Sequence, residues 1–510
     1  MFQCMKWFLF FILTGFFILP FSTAAQQVTY SDYEKEDSRD INFEIIGKMN
    51  GNFLVYKNIR WKHKLSIFDN DMKTKEIIDL DFLPEKTLNV DFVTYPDFFY
   101  MIYQYQKKSI VHCMAVKMDG EGKKLAEPVE LDTTRISVFS ENKIYSTINS
   151  EDKQKIMVFK IQKKNEKLYL VTLLFDKQLQ LLNKSRMTTP YNDRKDNYGE
   201  ILLDNDGTMV TTLAVEPLNR EYSNMLTLIT KAPKQDSLAF HNINLDKFYV
   251  DDVKLKIDNL NKRYIINSFF YKKNQGSVEG LFSYSWDKIK EQGVVSGLTN
   301  FSDSLRAEAR TDGRLRFAFD EFLIRQVIAK KDGGFLLTAE DVSSQTSNSY
   351  NNTANRLNGF NSPYSIYPNS YYSYNPYYNG YYRPTSSFNN QSTRFFYENI
   401  VVISMNKNGL VDWTKVIHKE QVDDNDDNFL SFSTMNSGGE IHFLYSIDKR
   451  NQIISDESIA PDGSQKRNPT LRSEEKGYQF MVKLSKQVGA KQLLIPCNYR
   501  GYICFAKVDL

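Results

Sequence analysis

The feature that most constrains this chain is the return of short apolar runs, entered through Asn/Asp/Gly turns, at a spacing near 50 residues. MNGNFLVY around Gly51, YPDFFYMIY around Pro96, SEDKQKIMVF around Asp152 and NDGTMVTTL around Asp206 begin the series. NLNKRYIINSFF around Leu260, KDGGFLLTA around Asp332 and NSGGEIHFLY around Gly438 continue it, at steps of about 45, 56, 54, 54, 72 and 106 residues. A second class of turn closes other apolar runs: IFDNDMK, VKMDGEGK, LLFDKQLQ, ITKAPKQD, YSWDKIKEQ, SMNKNGLVDW and KLSKQVGAK. One of these follows each member of the first class. The chain therefore divides into seven units of strand, turn, strand, connection, strand, turn, strand. Antiparallel four-stranded units at such a period are the pattern of propeller blades, and Asn/Asp/Gly turns are what hairpins require. The expected fold is all-β, a β-propeller of about seven four-stranded blades over residues 26–510. A pair of sandwiches, an irregular array of hairpins, and a ring of six or eight blades are the alternatives. One stretch, FSDSLRAEARTDGRLRFAFDEFLIRQ, has helical content around Leu305 to Arg310 and reads as a short helix between units five and six.

Two units break the rhythm. In unit six the turns are separated by a low-complexity Tyr/Asn/Ser-rich stretch, 343–394. In unit seven they are separated by KRNQIISDESIAPDGSQKRNPTLRSEEKG. With the strands of a unit lettered A to D, both stretches fall between B and C, so both are expected to project from one face of the ring. Nine tyrosines lie between Asn361 and Ser387, where Arg383 is the sole charge. Such a segment cannot bury a core of its own, and its composition favours disorder. Tyr, Ser, Asn and Gly are also what binding loops use, because tyrosine offers large contact area at little rotamer cost. The first candidates for contact are Tyr371, Tyr372, Tyr374, Tyr377, Tyr378, Tyr381 and Tyr382. The bland reading is a tolerated insertion with no partner, since long surface loops cost little stability.

The N-terminus carries Lys6, then WFLFFILTGFFILPF, then small residues at Thr23 and Ala25, which is the pattern of a signal peptide cleaved after Ala25. The apolar run is short for a membrane anchor and contains Pro20. Export and a soluble mature chain without a transmembrane segment are expected, in the periplasm or at the cell surface. A formal charge of +3, with Lys and Arg interspersed among Asp and Glu, leaves no concentrated basic run for nucleic acid. In PCNYRGYIC a hairpin centred on Arg500-Gly501 would set Cys497 opposite Cys504, a candidate disulfide. Two reduced, packed thiols are the alternative, and Cys113 reads as a buried small hydrophobe.

The phrases FDKQLQLLNKSRMTTPY, LLDNDGTMVTTLAV, IAKKDGGFLLTAED and ENIVVISMNKNGLVDWTKVIHKEQ resemble exported, propeller-like proteins of Gram-negative envelopes, over roughly residues 140–450. That resemblance implies fold and export. It supplies no catalytic residue, because the family has no assigned activity.

Chemistry-bearing motifs are sparse. The five histidines are scattered, with no HExxH, no CxxC and no i, i+4 pair, so no metal site or cofactor is expected. QVDDNDDNF offers Asp423, Asp424, Asp426 and Asp427, but the EF-hand positions six and twelve would be Asn428 and Thr434, and a solvated acidic turn fits better. No G-x-S-x-G elbow is present. The expectation is a non-catalytic exported propeller acting as an interaction scaffold of the cell envelope, toward a protein or a glycan. A propeller enzyme acting on polysaccharide or peptide from the central channel, or a surface adhesin, are the alternatives.

Overall fold

The computed structural model describes residues 27–33, 35, 36, 38, 41–136, 144–216, 222–273, 276–310, 315–346, 393–424, 427–448, 450–472 and 477–510. The expected signal peptide and the seven tyrosines named above lie outside these residues.

Eight antiparallel sheets follow one another along the described chain, each ordered A-B-C-D from the ring's centre outward. Blade 1 is Ile41–Met49, Asn52–Ile59, Lys62–Phe68 and Thr74–Asp79; blade 2 is Thr87–Thr94, Phe98–Lys107, Ile110–Asp119 and Val129–Arg135. Blade 3 is Tyr145–Asn149, Lys155–Lys164, Lys167–Asp176 and Leu181–Pro190. Blade 4 has a split inner strand, Asp196–Tyr198 with Leu202–Leu203, then Met209–Val215, Met225–Lys231 and Ala239–Ile243. Blade 5 is Tyr249–Asp258, Arg263–Tyr271, Gly280–Asp287 and Gln292–Asn300. Blade 6 is Phe322–Ala329, Phe335–Thr346, Thr393–Met405 and Val411–Ile417. Blade 7 is Phe432–Asn436, Ile441–Ser446, Ile453–Ile459 and the split pair Gln465–Arg467, Leu471–Arg472. Blade 8 is Tyr478–Phe480 with Lys486–Gly489, Gln492–Tyr499 and Tyr502–Asp509, completed by Gln27–Tyr30 from the other end of the chain.

The core explains the ring. Each inter-blade interface holds its own apolar cluster, such as Phe92 and Phe99 of blade 2 with Leu65 and Ile67 of blade 1. The same holds for Leu494 and Phe505 of blade 8 with Phe43 and Phe53 of blade 1, where the ring closes. A blade's central strands thus bury both faces, which is why their sequences read as apolar runs rather than as strict alternation.

Repeated turn chemistry sets the hairpins. In the C–D turns of blades 1, 2, 3 and 6, the Oδ1 atom of Asp69, Asp119, Asp176 or Asn406 accepts N–H bonds from the residues two and four positions on, at 2.8 to 3.1 Å. The fourth residue of each turn has positive φ, which suits Gly122 and Gly409 and is borne by Met72 and Leu179.

The expectation of about seven blades is corrected to eight, and the same shift removes one of the two long stretches. KLSKQVGAK belongs to the A–B hairpin of blade 8, not to the end of blade 7. The C–D turn of blade 7 is Ala460–Ser464, inside the stretch read as an insertion. Its strand Ile453–Ile459 is polar yet buried: Asp456 is bonded to His442 at 2.8 Å, and Glu457 accepts from Tyr445 at 2.6 Å. Internal partners, rather than apolar side chains, make that strand an interior one. A single B–C insertion therefore remains, in blade 6. The helix between blades 5 and 6 runs Asp303–Ala309, capped by Ser302, and packs Leu305 and Ala309 into the interface there.

Candidate functional site: the root of the blade 6 hairpin

The B and C strands of blade 6 have 12 and 13 residues and outrun their neighbours. The A strand ends its pairing at Phe322↔Asp341, and the D strand at Ile400↔Ile417. Beyond that level the B–C ladder continues from Val342↔Tyr397 to Thr346↔Thr393. Gln421–Asp424 adds a third strand by pairing with Arg394–Tyr397. A small three-stranded stem thus leaves the ring on the B–C face, carrying residues 347–392 between its two long strands. Arg394 clamps it with a two-pronged bond to Asp424 at 2.7 and 3.2 Å, both side chains being exposed.

The root of the stem is charged and buried. Glu340, 0% exposed, takes Arg325 Nε at 2.8 Å and Ser431 Oγ at 2.7 Å on Oε2, and pairs through Oε1 with Lys419 Nζ at 2.8 Å. Burial alone would raise this carboxyl, but Lys419 and Arg325 outweigh it and hold the group below its ordinary range. Lys419 also donates to Tyr397 O at 3.1 Å and to Gln421 Oε1 at 2.9 Å, tying the stem's third strand to its second. Tyr397 donates from its hydroxyl to Asp427 at 2.7 Å, and Lys483 of blade 8 pairs with the same carboxylate at 2.8 Å. The network thus joins blades 6, 7 and 8.

On the other side it reaches the inner strands of blades 4 and 5. Asp252, held at positive φ in a bulge, accepts the Ile324 N–H of blade 6 at 2.6 Å and lies 3.4 Å from Lys254. Burial raises Glu200 to about 7 against the pull of Lys254 and Lys256, and raises Glu216 to about 7 with help from Asp251.

Asp341, buried at the bulge that starts the stem, rises to about 7 through burial and through Glu398 and Glu321, with Arg310 and Lys419 opposing. Its native form keeps its proton to higher pH than the unfolded chain, whose carboxyl titrates near 3.9. Stability from this group is therefore greatest below about pH 4 and falls as pH rises toward about 7. Asp341→Asn should be more stable than the parent by roughly 1–3 kcal/mol at pH 8, with the difference vanishing near pH 4, read from urea midpoints at the two pH values. An equal difference at both pH values would show that Asp341 is already charged in the folded chain.

The acidic turn read as solvated is instead half built in. Asp424 and Asp427 are engaged as above, Asp423 caps the Asp424 N–H, and Asp426 lies outside the described residues. Among the described residues no group of three His, Cys, Asp or Glu side chains is placed to hold a metal ion. Cys497 pairs with Cys504 in register across the Arg500-Gly501 turn, and both are buried thiols, with Cys504 Sγ 3.6 Å from Cys497 O. No sequence motif pointed to Glu340, Arg325, Lys419 and Ser431. The one available signal was the charged ending of FLLTAED on an otherwise apolar strand.

Fold and site together define an eight-bladed β-propeller with one long B–C insertion mounted on a charge-locked stem. No family model matches the chain, and no curated protein matches it. Among solved structures it is similar to a eukaryotic initiation factor at 9% identity and a TM-score of 0.38, over 93% of this chain and 85% of that one. It is similar to prolyl oligopeptidase B from Galerina marginata at 10% identity and 0.41, over 91% and 56%, and to polysaccharide lyase Uly1 at 9% and 0.38, over 82% and 89%. At these scores the likenesses carry no argument about activity, and the propeller assignment rests on the sheets themselves. No described helix is long and apolar enough to cross a membrane.

Proposed function

We propose that this protein is an exported interaction scaffold of the cell envelope, related to the propeller-like envelope proteins its turn-and-strand phrases resemble, and that contact through its insertion needs no chemistry. It presents the tyrosine-rich segment to an envelope protein or glycan. The observation that carries this reading is the stem: a ladder extended past the blade, given a third strand and anchored by a buried ionic cluster spanning three blades. A loop without a task does not require such a mount. Tyrosine rings stack on sugars or peptides and keep a hydroxyl for hydrogen bonding, which makes Tyr371, Tyr372, Tyr374, Tyr377, Tyr378, Tyr381 and Tyr382 the contact residues. Export into an oxidising compartment would favour closure of the Cys497–Cys504 pair.

The test is affinity capture from envelope extracts and binding to a glycan panel, using the intact chain beside one lacking 347–392. Capture that needs the segment, with loss of at least tenfold in affinity on its removal, supports the reading. Equal capture by both chains sinks it and moves the contact surface to the ring.

A further inference from the structure

On the opposite face, at the A–B hairpin of blade 7, three side chains from separate positions meet. Ser437 Oγ lies 3.0 Å from His442 Nε2, and His442 Nδ1 lies 2.8 Å from Asp456 Oδ1. Asp456 is 0% exposed, His442 is 9% exposed, and Ser437 is half-buried at the surface. A carboxylate only accepts, so Nδ1 carries the hydrogen, which leaves Nε2, at 3.0 Å, as a nearer acceptor for the serine hydroxyl than Glu440 O at 3.4 Å. That is the order of roles in a nucleophile–base–orienting-acid relay, which is recognised by geometry and not by position in the chain.

We infer that Ser437, His442 and Asp456 form a nucleophilic acyl-transfer site, with Ser437 as nucleophile, His442 as general base and Asp456 as the residue that orients the imidazole. Ser437 Oγ would bond to the carbonyl carbon of an ester while its proton passes to His442 Nε2. The ester C–O bond then breaks, and the departing alkoxide takes that proton from His442. Water, activated by the same imidazole, releases the acyl group and regenerates the serine. The hydroxyl is followed by Gly438 and Gly439, and a Cβ built on either meets nothing within 4 Å, so the turn is open. The Gly438 N–H is taken by Asn436 Oδ1 at 3.0 Å, whereas the Gly439 N–H makes no hydrogen bond within the described residues and is available to an oxyanion. The open space beside Gly438 and Gly439 leaves room for an acyl ester carried on a bulky polymer.

The experiment exposes the intact chain to a fluorophosphonate probe and to p-nitrophenyl acetate, with peptide mapping of the labelled residue. Stoichiometric labelling of Ser437 is expected. Ser437→Ala, a surface change, should abolish labelling while leaving the melting curve in place. His442→Gln should slow labelling at least tenfold in a chain whose folding is checked by circular dichroism. Absence of labelling, labelling at another residue, or labelling indifferent to His442 would overturn the assignment and leave the trio as a means of burying Asp456. Because the insertion leaves from the other face, removing 347–392 should leave the labelling unchanged, so this inference and the scaffold reading fail separately.

Discussion

Glu340→Ala should lower the stability of the folded chain by roughly 3–5 kcal/mol, the usual cost of breaking a buried ion pair from one side. The substitution leaves Arg325 and Lys419 facing each other where water cannot reach Lys419, whose side chain is 1% exposed. It also removes the acceptor of the Ser431 hydroxyl. The measure is the urea midpoint at unchanged slope. A second chain with Glu340→Leu and Lys419→Met should recover part of the loss, because only the Arg325 guanidinium then loses the Glu340 carboxylate, where Glu340→Ala takes it from two cations. A loss under about 1 kcal/mol would mean that the root of the stem is wet, as for an exposed pair.

The second large effect is expected from removing Gln27–Tyr30. These four residues pair with Ala506–Asp509, and the Tyr30 ring packs on Tyr478 with centroids 4.2 Å apart and planes tilted by 32°. Val28 and Tyr30 both pack against the cluster between blades 7 and 8. Both side chains are only partly buried, so losing them should cost roughly 2–3 kcal/mol together, below the ~1.5–3 kcal/mol apiece of full burial. The deletion also leaves the strand Tyr502–Asp509 as a bare edge, so concentration-dependent association is expected in light scattering. A permuted chain carrying residues 26–40 after Leu510 through a flexible linker should regain both stability and the monomeric state. If the deletion leaves the melting curve unmoved, the outer strand is ornamental and closure rests on the apolar cluster shared by blades 8 and 1.

Much of this architecture was legible because it is local. The seven turns from Gly51 to Gly438 are the A–B turns of blades 1 to 7, since Asn/Asp/Gly chemistry and adjoining apolar runs are written in consecutive residues. The count failed where the information is not consecutive. Blade 8 borrows its outer strand from the opposite end of the chain, so its unit looks one strand short in the sequence. Blade 7 hid its third strand because ISDES is buried by His442 and Tyr445, partners on the neighbouring strand, rather than by hydrophobicity. The buried cluster of blade 6 and the trio of blade 7 were illegible for the same reason. Arg325, Glu340, Lys419 and Ser431 come from four separate segments, and Asp456 sits in a stretch that composition marks as a loop.

The one-cluster-per-interface core has a consequence for how such a molecule tolerates change. An open stack of repeats has one fewer interface than repeats and needs polar caps on its two end units. A closed ring of eight has as many interfaces as units, so no blade needs a capping sequence, and the penalty for loosening any one interface is shared with none of the others. Substitutions confined to one interface should therefore add independently to those in an interface across the ring. Each blade boundary can drift in sequence on its own, provided the two strands facing it drift together.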